Sequence, residues 1–300
     1  MKNNNVVDND DINYLSFLFP PLWQNYYIGS SEFSPNNNDA WERVLEDCVR
    51  PVVLYYMPLL LSSYGLSVLV LKRFTDWKGL KLQKLAGQLS MYPAFLVLIC
   101  TSHGTILQSQ FWTSGYEERK YGSSDLCDLF ANFYIAANIV QAMGQIQTEK
   151  APLLYQLMGH HILSVGCYVC GFYFNRFRWW TAFAGASEFT NLFLVPVFAC
   201  KEYFPEWRKE YWYLWSTRLL WLSFITHRFL LFPSWLVLWM YDRWKDATSS
   251  GREGIHWIEG ILYPTTIFAL VILSMVWFKI IDRGLKKQLI SYTEAQKKKN

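Results

Sequence analysis

Charged side chains are the scarce class in this chain of 300 residues. Asp, Glu, Lys and Arg make up 17% of it, against about 25% in ordinary soluble domains. So few charges cannot clothe a soluble globule of this size, and the shortage excludes the soluble, disordered and fibrous classes together. Net charge is also small: 28 basic against 24 acidic side chains leave +4, too little to imply a nucleic-acid partner. A disulfide framework is missing. Four of the six cysteines, Cys100, Cys167, Cys170 and Cys200, fall inside apolar runs and read as free, buried thiols. Cys167-Tyr-Val-Cys170 has metal-site spacing but no second pair, so no metal site is expected. There is no repeat of 20–50 residues, and no basic n-region precedes the apolar patch at 14–23, which excludes a signal peptide there.

What the chain has in abundance is apolar and aromatic side chains, 52% and 18%, with 15 Trp, 19 Tyr and 21 Phe. The mean hydropathy stays near zero only because Trp and Tyr score as polar, although both are enriched at membrane interfaces. A membrane-spanning helix needs about 20 mostly apolar residues. Seven stretches qualify, at 51–71, 85–107, 126–146, 153–174, 179–200, 213–239 and 255–281. The third is the most polar, with Asp128, Asn132, Asn138 and Gln141. The loops are short. The expectation is an all-α, polytopic membrane bundle of about seven transmembrane helices. Residues 1–50 form a polar, acidic N-terminal tail; 51–84 hold the first span and a basic loop. Residues 85–281 form the main membrane domain, and 282–300 a basic tail.

Orientation follows from Lys and Arg in the loops. The 72–84 loop, Lys150, the 201–209 loop and the C-terminal tail hold 16 of them, and the other side holds ten. The C-terminus is therefore expected in the cytosol. Lys297 and Lys298, fourth and third from the end, resemble the dilysine address for retrieval to the endoplasmic reticulum, a signal read by receptors.

Ionisable groups at mid-membrane cost some kcal/mol (about 2.5–3.5 for Asp, Lys or Arg) and usually face an interior cavity. His103, Asn138, Gln141, His160, His161, Glu188, Asn191, His227 and Arg228 all lie at such depth. Glu188 and Asn191 are three apart and share a helix face. His160, Ser164 and Cys167 fall on one stripe, and His161 points about 100° away from it, so the two histidines are expected to do different jobs. Glu188 and Arg228, on antiparallel neighbours, are placed to neutralise each other. A neutral His is a nucleophile or general base, and a carboxylate on its second ring nitrogen would fix its tautomer. With a cytosolic C-terminus, His160 sits roughly 10 Å into its helix, within reach of a water-soluble donor. Interhelical polar glue, worth about 0.6 kcal/mol per group, competes with this reading at every single position.

Met158-Gly-His160-His161-Ile-Leu, followed 27 residues after His161 by Ser187-Glu188-Phe-Thr190-Asn191, resembles the TLC domain. That membrane module is shared by ceramide synthases, translocation-associated membrane proteins and several small lipid-related proteins. Ser102-His103-Gly104, Tyr121-Gly-Ser-Ser124 and the Arg of His227-Arg228-Phe-Leu add to the likeness, which covers about residues 85–280. It implies six helices around a narrow cavity. In the synthases it implies N-acylation of a sphingoid base by acyl-CoA, with the His pair as catalytic centre. Carried over, the catalytic candidates are His160, His161 and Glu188, and the substrate-binding candidates His103, Asn138, Asn191 and Arg228. Acyl-CoA enters as a co-substrate, membrane lipids and a sphingoid base as partners, and no bound cofactor is implied. The synthases carry Asp-x-x-Asp where this chain has Glu188-x-x-Asn191, and relatives often have an Asp near Asn138, so negative charge is lost. Losing one such group costs on the order of 100-fold or more in rate. In this the chain is more similar to the small TLC-domain proteins than to true synthases.

Three readings follow: a protein of membrane-lipid homeostasis in the endoplasmic reticulum that binds an acyl lipid, a ceramide synthase-like N-acyltransferase, and a cargo or assembly factor. Whether the chain pairs with itself or with a partner stays open.

Overall fold

The computed structural model describes residues 37–248 and 257–297. The apolar patch at 14–23 lies outside these residues, as does the end of the dilysine signal, Lys298 onward. Among the described residues the chain is 91% helical with no strand. The helix α1 (Asn37–Arg43) runs through two π turns, Val44–Val49 and Val52–Tyr56, into α2 (Met57–Phe74). Then come α3 (Gly79–Leu107), the short α4 (Gln110–Thr113) and α5 (Tyr116–Tyr121), α6 (Asp125–Thr148) and α7 (Leu153–Tyr173). The helix α8 (Arg178–Gly185) passes through a 3-10 turn (Ala186–Thr190) into α9 (Asn191–Tyr203). After α10 (Tyr211–Phe224), a π turn (Ile225–Leu230) leads into α11 (Leu231–Thr248), and α12 (Trp257–Lys297) closes the order.

Six of these helical stretches are long and apolar enough to cross a membrane. The seventh expected span, α7, forms a helix of 21 residues, but Gln156, His160 and His161 make it more polar than the six. Two stretches expected as polar tails are helical instead. The first helix begins at Asn37, ahead of the apolar run, and α12 continues to Lys297. At 41 residues, α12 is roughly 60 Å long, about twice the hydrocarbon thickness of a bilayer.

Local signals explain several joints. Ser124 caps α6 by accepting from the Cys127 amide at 3.3 Å, and Asp125 and Asp128 sit in the first turn, where the helix dipole favours negative charge. Between α7 and α8 the chain reverses within four residues. Asn175 and Phe177 take left-handed backbone angles (φ 52° and 63°) there, a strained state for Phe. Phe177 is held by its own burial and by donating its amide to the Lys120 carbonyl at 2.7 Å. At the end of α8, Gly185 lets Phe130 of α6 approach so closely that any Cβ would overlap its ring.

Inside a bilayer, packing and polar contacts rather than the hydrophobic effect hold helices together. The charged turns of one end supply them. Arg119 makes a bidentate pair with Asp242 (2.8 and 2.7 Å) and Lys120 bonds Asp246 (2.8 and 2.9 Å), tying α5 to α11. Arg176 grips Glu259 of α12, and Arg178 of α8 reaches Asp128 of α6 at 2.7 Å. Arg243 adds a second bond to Asp246 at 2.9 Å. This revises the charge count above: five of the ten basic residues assigned to that side are consumed in ion pairs within the fold.

Candidate functional site

Between α6, α7, α8, α11 and α12 lies a small cavity that is partly open to the outside. His160, Ser164 and Cys167 line it together, the stripe expected from their spacing. Glu188 from the 3-10 turn and Arg228 from the π turn also line it, 8% and 6% exposed. Three residues singled out in the sequence, His160, Glu188 and Arg228, thus meet at one wall although 68 positions separate the first from the last.

Each has a different set of partners. Glu188 Oε2 accepts from Asn191 Nδ2 at 2.5 Å, and the Tyr134 hydroxyl is a second hydrogen-bond partner. Arg228 Nη2 donates to Thr190 Oγ1 at 3.3 Å, while its Nε is buried with no partner among the described residues. Its guanidinium lies beside the rings of Phe224, Phe232 and Trp277. Arg228 and Glu188 interact through space but form no direct ion pair, so the neutralisation expected of them is incomplete. His160 Nδ1 is likewise buried and unpartnered. The wall therefore carries unused hydrogen-bonding capacity on a cation and on an imidazole.

His161 is turned elsewhere. Its Nδ1 faces Asn138 Oδ1 at 2.6 Å, and its Nε2 faces Gln145 Oε1 at 2.9 Å. Asn138 is oriented by donating its Nδ2 to the Tyr134 carbonyl at 2.8 Å. Its oxygen must then accept, so in the neutral ring Nδ1 carries the proton and Nε2 is left as an acceptor, which the Gln145 amide satisfies on rotating to turn its N–H toward it. His161 is a clamp between α6 and α7, as its 100° offset from His160 suggested. Among the described residues no carboxylate bonds either ring, and Glu188, the carboxylate that spacing alone allowed there, bonds Asn191 instead.

His103 and Asn191 do not line the cavity, nor do His161 and Asn138. His103 donates from Nδ1 to the Ile99 carbonyl at 2.9 Å, and its Nε2 faces His227 Nε2 at 3.4 Å. His227 bonds Thr226 Oγ1 at 2.7 Å and stacks on Phe189 at 4.3 Å. This second pair satisfies itself between α3 and the π turn. Asn191 supports Glu188 instead of facing the cavity.

Sequence reading missed the aromatic lining: Tyr134, Tyr168, Trp180, Trp235 and Tyr263. Tyr and Trp had registered only as interfacial residues. No group of three or more His, Cys, Asp or Glu able to hold a metal occurs among the described residues.

The fold and this site define a polytopic helical membrane protein with a polar cavity inside its bundle. The protein-family model for the TLC domain matches residues 86–283, about two thirds of the chain. The chain belongs to the TLC-domain family. No curated protein and no solved structure matches it.

Proposed function

We propose that this protein binds an acyl lipid in the intramembrane cavity and serves membrane-lipid homeostasis in the endoplasmic reticulum, with its C-terminus in the cytosol. The observation that carries the reading is Arg228: a buried guanidinium with a free Nε, on the same wall as the unpartnered Nδ1 of His160. A buried cation lacking its full set of acceptors favours a ligand that brings a carboxylate or carbonyl oxygen. The rest of the cavity is mostly apolar and aromatic, suited to the hydrocarbon part of such a ligand. His161 acts through positioning, by locking α7 to α6.

The test is lipid carried through purification. Protein isolated in mild detergent is extracted, and its lipids are identified by mass spectrometry. Wild type is expected to retain an acyl lipid that Arg228→Gln and His160→Ala lose at unchanged folding. Equal retention by all three overturns the reading.

One observation favours a second reading, acyl transfer from acyl-CoA to a sphingoid-base amine. His160 Nδ1 has no protein partner to compete with a reacting group. Against it, no carboxylate among the described residues bonds the imidazole. Cells lacking their own ceramide synthases decide the matter. Ceramide restored by the intact chain, and not by a His160→Ala, His161→Ala double variant, establishes transfer; ceramide from neither removes it.

A further inference from the structure

Outside the cavity, His103 and His227 sit half-buried between α3 and the π turn Ile225–Leu230. Each ring is fixed through Nδ1 by its own helix. His103 donates Nδ1–H to the Ile99 carbonyl at 2.9 Å. At His227 the Nδ1 partner is Thr226 Oγ1 at 2.7 Å. That hydroxyl has one proton, and the Leu222 and Ser223 carbonyls, each 3.2 Å away, accept it. Thr226 Oγ1 is then an acceptor toward the ring, and Nδ1 of His227 carries the ring proton. The Ser223 carbonyl is a further acceptor for the same ring.

In this arrangement both Nε2 atoms keep a lone pair, and they confront each other at 3.4 Å. The ring centroids lie farther apart, at 5.5 Å, so both Nε2 edges point into the gap. Two facing acceptors need a cation between them. A proton serves if one ring takes its other tautomer, and without a metal ion the pair closes on itself in that way. The resulting N–H···N bond is longer than the usual range for an N–H donor, about 2.7–3.2 Å. A metal ion fits with no change of tautomer. At about 2.05 Å from each nitrogen, zinc would subtend an N–Zn–N angle of about 112° across the 3.4 Å gap, close to tetrahedral.

We propose that His103 and His227 form a site for a transition-metal ion, Zn2+ by its geometry, that clasps α3 to the π turn. The bond from Nδ1–H to a fixed oxygen is the one that metal-bound histidines make on their far side. π turns inside helices are frequent at functional sites. This one aims His227 at α3, while Arg228, the next residue, turns to Thr190 on the cavity side. Phe189 stacks on the His227 ring at 4.3 Å and steadies it. His103 is four residues, about 6 Å, from the end of α3 at Leu107, so the site lies near a helix end and within reach of ions from water. Among the described residues no third His, Cys, Asp or Glu joins the pair. The other positions on the ion are left to water or to a ligand's donor atom, and binding is weaker than at a closed site of four protein ligands. The inference does not depend on what the cavity holds. An ion here fixes the segment that also carries Arg228, and so couples metal occupancy to the cavity wall.

The test is equilibrium dialysis against Zn2+ of the full chain in lipid nanodiscs, without a polyhistidine tag, with bound zinc counted by elemental mass spectrometry above that of empty nanodiscs. The wild type is expected to hold one Zn2+ per chain. His103→Gln and His227→Gln are each expected to weaken binding by at least ~10-fold. The chain has five histidines, so a His160→Ala, His161→Ala, His256→Gln protein keeps only this pair and is expected to bind as the wild type does. X-ray absorption of the bound zinc is expected to show two imidazole nitrogens at about 2.0–2.1 Å. No zinc on the wild type overturns the proposal, as does binding that both single variants leave unchanged, or a folded triple variant that binds none. If the single variants do not fold, the wild-type absorption spectrum decides: a sulfur shell, or fewer than two imidazoles, overturns it.

Discussion

At one end of the bundle Arg119, Lys120, Arg176, Arg178 and Arg243 pair with four carboxylates, and only Asp128 among the nine partners is substantially exposed. At the other end, the turn between α6 and α7 offers one ion pair, Lys84 with Glu149, each about a quarter exposed. The first end also holds the Trp180, Trp235 and Trp239 layer; the second holds His160 and His161 a few residues inside α7. One end is tied by buried ion pairs, and the turn at the other carries a single, partly exposed pair. Helices in lipid lack a hydrophobic drive to associate. Rigidity therefore has to come from polar bonds at a chosen place, and the site lies away from that place.

The largest effect that tests this contrast comes from breaking one bolt. Asp242→Asn leaves Arg119 buried without its bidentate partner, and a loss of about 3–5 kcal/mol is expected. The double change Arg119→Met, Asp242→Leu is expected to recover most of it, because a well-packed apolar pair avoids the desolvation of both charges. Thermal unfolding in detergent, followed by tryptophan fluorescence, measures both. Loss of stability equal to the single change in the double variant sinks the ion-pair account.

Next in size is Gly185→Ala, which drives a methyl into Phe130. Overpacking of this kind costs about 1–3 kcal/mol, and adding Phe130→Leu is expected to relieve it. A Gly185→Ala protein as stable as wild type shows that α6 and α8 can separate freely at that point.

The two neighbouring histidines sharpen the comparison further. His161→Ala strands Asn138 and Gln145 and is expected to cost about 1–3 kcal/mol. His160→Ala removes a ring with no hydrogen-bond partner on Nδ1, so it is expected to destabilise less than His161→Ala while bound lipid is lost. Equal destabilisation by the two would contradict the division into clamp and ligand contact. The smallest effect is expected from His103→Phe, which removes one self-satisfied interhelical bond worth about 0.6 kcal/mol.

Much of this was legible before any coordinates. The scarcity of charge and the apolar runs gave the membrane class and most spans. A period of 3.6 residues put His160, Ser164 and Cys167 on one face and turned His161 off it, and the pattern of His160-His161 with Glu188 gave the family. Helical spacing is local geometry, and local geometry can be read along the chain. Two features were illegible for one reason. Arg119, Lys120, Arg176, Arg178 and Arg243 were taken for loop charges because a basic residue near a span end looks the same whether it meets water or a carboxylate from a distant helix. His103, Asn138 and Asn191 were grouped with the substrate contacts because depth in the membrane does not say which way a side chain turns.

The sequence by itself determined the class, the family and the side of each helix that carries polarity, since these depend on composition and on neighbours a few residues apart. Only the tertiary structure decided which polar groups are already satisfied and which are left open. It also decided where buried ion pairs tie the bundle and which side chains line the cavity. Those properties depend on contacts such as Arg119 with Asp242 and Trp235 with Trp180, made across 123 and 55 positions, and no pattern along the chain encodes the meeting of residues so far apart.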